Sequence, residues 1–262
     1  MTTREGRLAD GQLYYRVWDA DAPRAAVVLA HGYAEHSGRY EHVGGALAGA
    51  GFSTYALDHF GHGQSEGERA DIGSLTRAVA NLDALVDLVA AEADDRPLFL
   101  LGHSMGGLIA TAYTEEHQER LRGLVLSGAA LNVAPELLAL RDLAEIPALP
   151  LAPLVSRDPE VVKDYENDPL NYLGPMPRAM LDAFAEIPAV LERVKEISIP
   201  ILVMHGEADA LVPAQASDEV MAVVSSADKT LKIWPGAYHE IYNEPERAEV
   251  IATTIDWLSA RV

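Results

Sequence analysis

The sequence predicts an α/β fold in which a mostly parallel sheet is covered by helices on both faces. Short, fully apolar runs such as residues 25–30 are typical of buried parallel strands. They alternate with longer segments such as 75–89, in which apolar residues recur every three or four positions, as on one face of a helix. Strands that alternate with helices indicate a parallel sheet. The chain has 262 residues, of which 49% are hydrophobic, so it can bury a substantial core.

The elements are predicted in a regular order from the N-terminus. Asp10-Gly11 is a strong tight-turn signal and predicts a hairpin over residues 4–18. The last helix is expected to begin near Asn243, with Pro245 in its first turn, where the missing N–H of proline is tolerated. Further strands are expected at 25–30, 52–57, 98–101, 123–127, 199–205 and 230–234. Further helices are expected at 38–50, from Leu75 to before Pro97, from Ser104 to about His117, and at 214–224.

Residues 130–190 break this alternation. The segment contains nine prolines and several short helical stretches, but no convincing strand. We expect it to be an insertion that lies over the sheet as a cap, or lid. The chain then divides into the first part of the core at 1–129, the cap at 130–190, and the second part of the core at 191–262.

Composition and charge exclude several classes of protein. The chain has 20 basic and 40 acidic residues, and its net charge of −20 argues against nucleic acid or an anionic membrane as an electrostatic partner. It has no cysteine, which excludes disulfides, thiolate metal sites and cysteine nucleophiles. The first residues lack the apolar region of a signal peptide, and no apolar run approaches the ~18 residues of a membrane-spanning helix. A cytoplasmic protein is therefore expected.

The segment that predicts chemistry is Gly102-x-Ser104-x-Gly106, which follows an apolar run and precedes a helical pattern. This pattern is the nucleophile elbow, in which a serine at a sharp strand-to-helix turn projects its hydroxyl away from the sheet. The turn crowds the residues two before and two after the serine, so glycine suits both places. The pattern alone occurs by chance in many chains, but its position between a strand and a helix makes Ser104 the predicted nucleophile.

A serine hydroxyl needs a base to take its proton, and the base needs an orienting acid. In an open parallel sheet, reactive groups collect beyond the carboxyl ends of the strands. Asp209 and His239 follow the last two predicted strands, and the order Ser104, Asp209, His239 is that of a catalytic triad. Glu207 is a rival for the acid, but it lies two residues nearer its strand and would point elsewhere. The alternative for Ser104 is a purely structural turn serine.

An oxyanion hole needs backbone N–H donors directed at the developing negative charge. Met105 supplies one donor, because it follows the nucleophile at the start of a helix. The second donor is expected from the loop after the strand at 25–30, where Tyr33 follows His31-Gly32.

Nine histidines raise the question of a metal site. The histidines of His59-x-x-His62, or His31 with His36, could be imagined as ligands, but no established metal-binding pattern is present. The plainer interpretation is that His31, Asp58, His59 and His62 satisfy buried backbone groups in glycine-rich loops. No metal is expected.

Longer motifs surround the predicted catalytic residues. In the core they are His-Gly-x-x-Glu-His-Ser-Gly-Arg-Tyr at 31–40, Asp-His-x-Gly-His-Gly-Gln-Ser-Glu-Gly at 58–67, Gly-His-Ser-Met-Gly-Gly at 102–107 and Gly-Ala-Tyr-His-Glu at 236–240. In the predicted cap they are Ser-Arg-Asp-Pro at 156–159 and Tyr-x-Asn-Asp-Pro-Leu at 165–170. With these motifs the chain resembles the monoacylglycerol lipases, serine hydrolases of the α/β-hydrolase superfamily, over nearly its whole length.

The resemblance implies hydrolysis of a monoacylglycerol to a free fatty acid and glycerol without a cofactor, by the triad and oxyanion donors named above. It also implies a small polar pocket for the glycerol end of the substrate. By their positions in the motifs, the candidates for this pocket are Glu35, Arg39, His103 and Tyr165. Glu35 and Arg39 could equally form a structural ion pair that braces their loop.

The first part of the predicted cap, Leu131 to Val155, is apolar but shorter than is usual in the resembling family. In that family such a segment forms the acyl tunnel and touches the lipid surface, although apolar residues here could equally pack onto the core. Because the protein is acidic, any transient membrane contact through the cap would be hydrophobic rather than electrostatic.

Two other functions remain open from the sequence. A general carboxylesterase or a lysophospholipase could use the same fold and the same triad. A small-ligand receptor could retain the triad without turning over a substrate. The sequence does not indicate an oligomeric state.

Overall fold

An eight-stranded, mostly parallel sheet forms the centre of the computed structural model, which describes residues 2–262. Its strands are β1 (Thr2–Leu8), β2 (Leu13–Asp19), β3 (Ala25–Ala30), β4 (Phe52–Leu57), β5 (Leu98–His103), β6 (Gly123–Ser127), β7 (Ile201–Gly206) and β8 (Lys229–Trp234). Their order across the sheet is β1-β2-β4-β3-β5-β6-β7-β8. The β1–β2 hairpin is antiparallel and β2 pairs antiparallel with β4, whereas all later pairs are parallel. The predicted α/β class is confirmed.

Helices cover both faces of the sheet, which explains why strands β3 to β7 are buried throughout. The long helices are α1 (Glu41–Gly49), α2 (Leu75–Glu92), α3 (Met105–His117), α9 (Gln215–Val223) and α10 (Arg247–Ser259). Helices α1 and α10 bury Leu47 and Leu258 in a core on one face. Helices α2, α3 and α9 bury Leu82, Leu108 and Val220 in the core on the other face. Strands β3 to β7 are therefore shielded from water on both sides, whereas the edge strand β8 is mostly exposed.

The segment between β6 and β7 contains five short helices and no strand. They are α4 (Pro135–Ala139), α5 (Ala152–Val155), α6 (Pro159–Asn167), α7 (Arg178–Ala185) and α8 (Ile187–Arg193). An isolated bridge pairs Ala148 with Pro175. Met180 and Phe184 of α7 and Val190 of α8 pack into the same core as α3, whereas α4 buries no residue completely. The two ends of this segment are therefore packed to very different degrees.

The last helix begins later than its sequence pattern predicts. The chain forms a 3₁₀ turn at Ile241–Asn243, and α10 starts only at Arg247, so Pro245 precedes the helix. Glu244 is extended, with φ −74° and ψ 164°. A residue before proline is sterically disfavoured in the helical region, which accounts for the delayed start.

The strand register brings the ends of distant segments together. Ala30 of β3 lies opposite Gly102 of β5, so the chain that follows β3 emerges beside the β5–α3 turn. Gly206 of β7 lies opposite Trp234 of β8, so the two loops that follow these strands are also neighbours. Within residues 2–262, no helix combines the length and apolar composition needed to cross a membrane.

Candidate active site

Ser104 lies in a strained turn between β5 and α3. Its φ of 53° and ψ of −120° are unusual for a residue with a side chain and cost of order 1–3 kcal/mol. The two glycines make this turn possible. A Cβ on Gly106 would lie 2.1 Å from the carbonyl oxygen of Ala30, and one on Gly102 would lie 2.5 Å from the carbonyl oxygen of Gly106. The crowding predicted for the elbow is thus present at both positions.

Ser104 and His239 line a cavity of about 230 Å³ at the carboxyl ends of the strands. Its lining has two chemically different parts. Four polar residues, which we call the polar wall, are Glu35, His103, Tyr165 and Glu240. Six apolar residues of the β6–β7 segment, which we call the apolar wall, are Val133, Leu137, Leu149, Leu151, Met176 and Phe184. The cavity can therefore accommodate a molecule with one polar end and one apolar end.

Asp209 and His239 are directly hydrogen-bonded in the loops after β7 and β8. The distance between Nδ1 of His239 and Oδ2 of Asp209 is 2.7 Å, and both side chains are buried. Oδ1 of Asp209 accepts the N–H groups of Leu211 and Val212, at 2.8 and 2.9 Å. Glu207, the rival acid, is exposed and accepts the N–H of a loop glycine instead. The geometry thus pairs His239 with Asp209 and not with Glu207.

The pairing changes the protonation of both groups. Burial alone would raise the pKa of Asp209, but the charge of His239 and hydrogen bonds from His205, His239 and the Val212 N–H lower it below its usual range. Burial alone would lower the pKa of His239, but Asp209 outweighs burial and raises it above the usual 6.5. Asp209 is therefore a carboxylate that favours the protonated form of His239.

His205, which the sequence did not single out, also binds Asp209. Its Nε2 is 3.0 Å from Oδ2 of Asp209 and 2.9 Å from the Val212 carbonyl oxygen, while its Nδ1 is 2.7 Å from Oγ of Ser217. Two acceptors at Nε2 require that this nitrogen carries the proton, so Ser217 donates to Nδ1. The fully buried His205 therefore helps to fix the carboxylate that binds His239.

The two predicted oxyanion donors lie on either side of Ser104. The N–H groups of Tyr33 and Met105 make no hydrogen bond to another group within residues 2–262. A Cβ on Gly32 would lie 3.2 Å from Cβ of Ser104, which shows how closely the loop after β3 approaches the nucleophile. Ala34 is held at a φ of 62°, and its carbonyl oxygen accepts the Tyr172 N–H at 2.9 Å. The β6–β7 segment thus braces the loop that carries Tyr33.

Glu35 and Arg39 form a buried ion pair, at 2.8 Å between Oε2 and Nη1. Arg39 also binds both carboxylate oxygens of Glu240, at 2.6 and 2.7 Å. Glu35 in addition accepts the Gly32 N–H at 2.6 Å and the Tyr40 hydroxyl at 2.7 Å. The brace between Glu35 and Arg39 is therefore present, yet Glu35 also faces the cavity, whereas Arg39 lies behind the lining.

The pKa values of these two buried carboxyl groups are shifted in opposite directions. Burial raises the pKa of Glu35, although Arg39 opposes this effect. Burial alone would also raise the pKa of Glu240, but the charge of Arg39 and its two hydrogen bonds outweigh burial and lower that pKa to about 2. Glu240 was not assigned from the sequence, although it directly follows His239 in the motif at 236–240.

His103 and Tyr165 complete the polar wall. Nδ1 of His103 donates to the carbonyl oxygen of Ser127 at 3.0 Å, which leaves Nε2 as an acceptor. Burial lowers the pKa of His103 to about 3, so its ring is neutral. The Tyr165 ring packs against the guanidinium of Arg39, 4.7 Å from ring centre to carbon. The predicted glycerol-side residues thus form one cluster, in which only Arg39 lacks access to the cavity.

The predicted backbone role of the loop histidines holds for His31 and His62 but is wrong for the His59 ring. His31 accepts the His59 N–H at 3.0 Å and donates to the carbonyl of Gly32 at 2.8 Å. Nδ1 of His62 lies 3.1 Å from a carbonyl oxygen, and Asp58 accepts two N–H groups. Both ring nitrogens of His59 are buried without a partner, since the ring packs against His31 instead. In the described part of the chain, no group of three acidic or histidine side chains is arranged to hold a metal ion.

Comparisons with known proteins show similarity to hydrolases, as the sequence motifs and the site geometry indicate. A hydrolase family model described as serine aminopeptidase, S33, matches residues 21–246. The chain is 40% identical to a monoacylglycerol lipase of Mycolicibacterium smegmatis, over 94% of this chain and 92% of that protein. It is 35% identical to the monoglyceride lipase of Homo sapiens, over 97% and 89% of the two chains. The crystal structure of a Paleococcus ferrophilus monoacylglycerol lipase matches with a TM-score of 0.85 at 31% identity, over 95% of this chain and 99% of that one.

Proposed function

The chain belongs to the monoacylglycerol lipase family of α/β-hydrolases, and on this premise we propose that it hydrolyses monoacylglycerols to a free fatty acid and glycerol. One observation carries the proposal. Ser104 and His239 open into a cavity in which a polar wall and an apolar wall meet. A monoacylglycerol has the same division, because a polyol head and an alkyl chain meet at its ester bond.

In the first step, His239 takes the proton of the Ser104 hydroxyl, and Oγ of Ser104 attacks the ester carbonyl carbon. Asp209 holds Nδ1 of His239 protonated, so that Nε2 is free to act as the base. The negative charge that develops on the carbonyl oxygen is bound by the N–H groups of Tyr33 and Met105. His239 then gives its proton to the departing glycerol oxygen, and an acyl-enzyme on Ser104 remains.

In the second step, water replaces glycerol. His239 removes a proton from the water, whose oxygen attacks the acyl carbon, and Ser104 recovers its proton as the fatty acid leaves. The same two N–H groups bind the second oxyanion. All the groups needed belong to the chain itself.

We also propose that the β6–β7 segment, residues 130–190, acts as the cap that selects the acyl chain, because it supplies most of the apolar residues that line the cavity. Leu211 and Val212, from the loop after β7, line it as well. Contact of this segment with a lipid surface stays a prediction.

Replacement of the nucleophile tests the mechanism. We expect Ser104→Ala to lower kcat for decanoylglycerol by about 10⁴-fold or more, because no other group in the cavity can form the acyl-enzyme. Fatty acid release by the purified protein is the measurement. Ser225→Ala is the matched control, because Ser225 is exposed and remote from the cavity lining. Near wild-type turnover by Ser104→Ala would overturn the mechanism. Rapid cleavage of short simple esters without cleavage of decanoylglycerol would favour a general carboxylesterase.

A further inference from the structure

The polar wall offers mainly hydrogen-bond acceptors and negative charge, and none of its four residues is a cation. Its ionisable members are two carboxyl groups, a neutral histidine and a tyrosine. No lysine or arginine among residues 2–262 lines the cavity. The alcohol part of a substrate, bound against this wall, therefore faces groups that accept hydrogen bonds or attract cations.

The hydrogen bonds around Glu35 are those of an ionised carboxylate. Oε1 accepts the Gly32 N–H and the Tyr40 hydroxyl, and Oε2 accepts an N–H of Arg39. Glu240 likewise receives donors only, two from Arg39 and one from the side-chain amide of Asn243. A protonated carboxyl would need an acceptor, and neither group has one within residues 2–262. Both side chains therefore carry a negative charge.

One guanidinium serves both carboxylates. Arg39 lies between Glu35 and Glu240, so the three groups together have a net charge of −1. Arg39 cannot turn towards a substrate without leaving two buried carboxylates unpaired, which is strongly unfavourable. The remaining negative charge acts on whatever occupies the cavity beside it, where little water screens it.

From this arrangement we propose that the polar wall selects the alcohol part of the ester by charge, so that the enzyme also hydrolyses esters of protonated amino alcohols and excludes esters whose alcohol carries a phosphate. The proposal rests on the proposed function of Ser104 as an esterase. An ammonium group donates hydrogen bonds to carboxylates, and such charged bonds are stronger than neutral ones. A phosphate brings negative charge and mainly acceptors, and among the four residues of the wall only the Tyr165 hydroxyl can donate to it.

The added reaction is an ordinary ester hydrolysis. The bond between the acyl carbon and the alcohol oxygen breaks, one water molecule is consumed, and a fatty acid and the amino alcohol are released. The amine keeps its proton throughout, and His239 protonates only the departing oxygen. No oxidant, reductant or further reactant is needed.

Two matched pairs of substrates test the proposal. The first pair is dimethylaminoethyl decanoate, which is protonated at neutral pH, and isopentyl decanoate, its uncharged analogue of the same shape. The second pair is decanoylglycerol and the same molecule with a phosphate on its glycerol. We expect kcat/KM at low ionic strength to be about tenfold higher for the amine than for its analogue. We expect kcat/KM to be at least about a hundredfold lower for the phosphate than for decanoylglycerol.

Glu35→Gln connects these ratios to the polar wall. The variant keeps the size of the side chain but removes its charge, so both ratios should move towards one. Glu207→Gln is the matched control, because Glu207 is an exposed acid near the triad that does not line the cavity, and both ratios should stay unchanged. A ratio compares two substrates of one variant, so a general loss of folding or catalysis cancels.

The outcomes separate the two proposals. If decanoylglycerol is not hydrolysed, the proposed function fails. If it is hydrolysed but the amine has no advantage over isopentyl decanoate, or the phosphate is cleaved equally well, the charge selection is wrong. The same conclusion follows if Glu35→Gln leaves both ratios unchanged.

Discussion

The two walls of the cavity are built on different physical principles. Three residues of the polar wall belong to the core, where Glu35 and Glu240 are held by Arg39 and by neutral donors at 2.6–2.8 Å. Only Tyr165 comes from the β6–β7 segment. The apolar wall comes from two short helices and the loops beside them, and four of its six residues, those from 133 to 151, are only partly buried. Leu143 and Leu173, in the same segment, are 43% and 50% exposed.

The difference separates the two ends of the substrate. A buried network of charges tolerates no missing partner, because each remaining charge would then be unpaired. An apolar surface that is only partly buried tolerates changes of shape, because its neighbours can shift and little burial is lost. The head group should therefore be fixed by a rigid site, whereas the preference for acyl chain length should be easy to change.

The largest effect is expected on stability, from removal of the arginine that pairs with both carboxylates of the polar wall. We expect Arg39→Met to lower the free energy of unfolding by about 3–5 kcal/mol, because it leaves Glu35 and Glu240 buried without a counter-ion. The midpoint of urea unfolding measures the change. Lys163→Met is the control, because its ion pair with Glu160 is mostly exposed and should contribute about 0.3–0.5 kcal/mol. Equal losses in the two variants would show that the buried network does not stabilise the fold.

A smaller effect is expected from the apolar wall, and only on selectivity. Leu137→Trp should reduce kcat/KM for hexadecanoylglycerol at least about tenfold relative to butanoylglycerol, because the larger side chain shortens the space for the alkyl chain. The unfolding midpoint should hardly change. Leu143→Trp, on an exposed position outside the cavity lining, is the matched control. A uniform loss for both substrates would mean that Leu137 does not limit chain length.

The smallest effect is expected on the pH dependence of catalysis, through the charge of the polar wall. His239 must be neutral to act as a base, so kcat/KM should fall as the pH decreases through its pKa, which lies above 6.5. Asp209 makes the main contribution to this upward shift, and Glu240 and Glu35 add to it. Glu240→Gln should therefore move the acid limb of the pH profile to lower pH by a fraction of a unit, whereas Leu137→Trp should leave it in place. An unmoved limb in Glu240→Gln would show that the polar wall does not act on the base.

Local patterns were enough for the elements of the core. The strands from β3 to β7 are short and mostly apolar, and the elbow glycines are dictated by contacts within a few ångströms of Ser104. The last helix shows where local reasoning failed, because a favourable place for Pro245 in a first turn was outweighed by the extended conformation of Glu244 before it.

Ion pairs between residues that are far apart in the chain could not be predicted from the sequence. Arg39 and Glu240 are 201 residues apart, and no local spacing relates them. The contact between His205 and Asp209 spans only four residues, but it depends on the way the loop after β7 folds back over the strand end. The unpaired ring of His59 likewise follows from how two loops pack.

The sequence by itself determined the fold class, the elbow and the order of the three predicted catalytic residues, because these depend on periodicity and on chain order. Tertiary structure alone decided that Arg39 lies behind the cavity and is shared by two carboxylates. It also decided that most of the apolar residues lining the cavity come from one segment, residues 130–190. The physical reason is that burial and charge pairing depend on which segments are neighbours in space. The strand register determines which segments are neighbours.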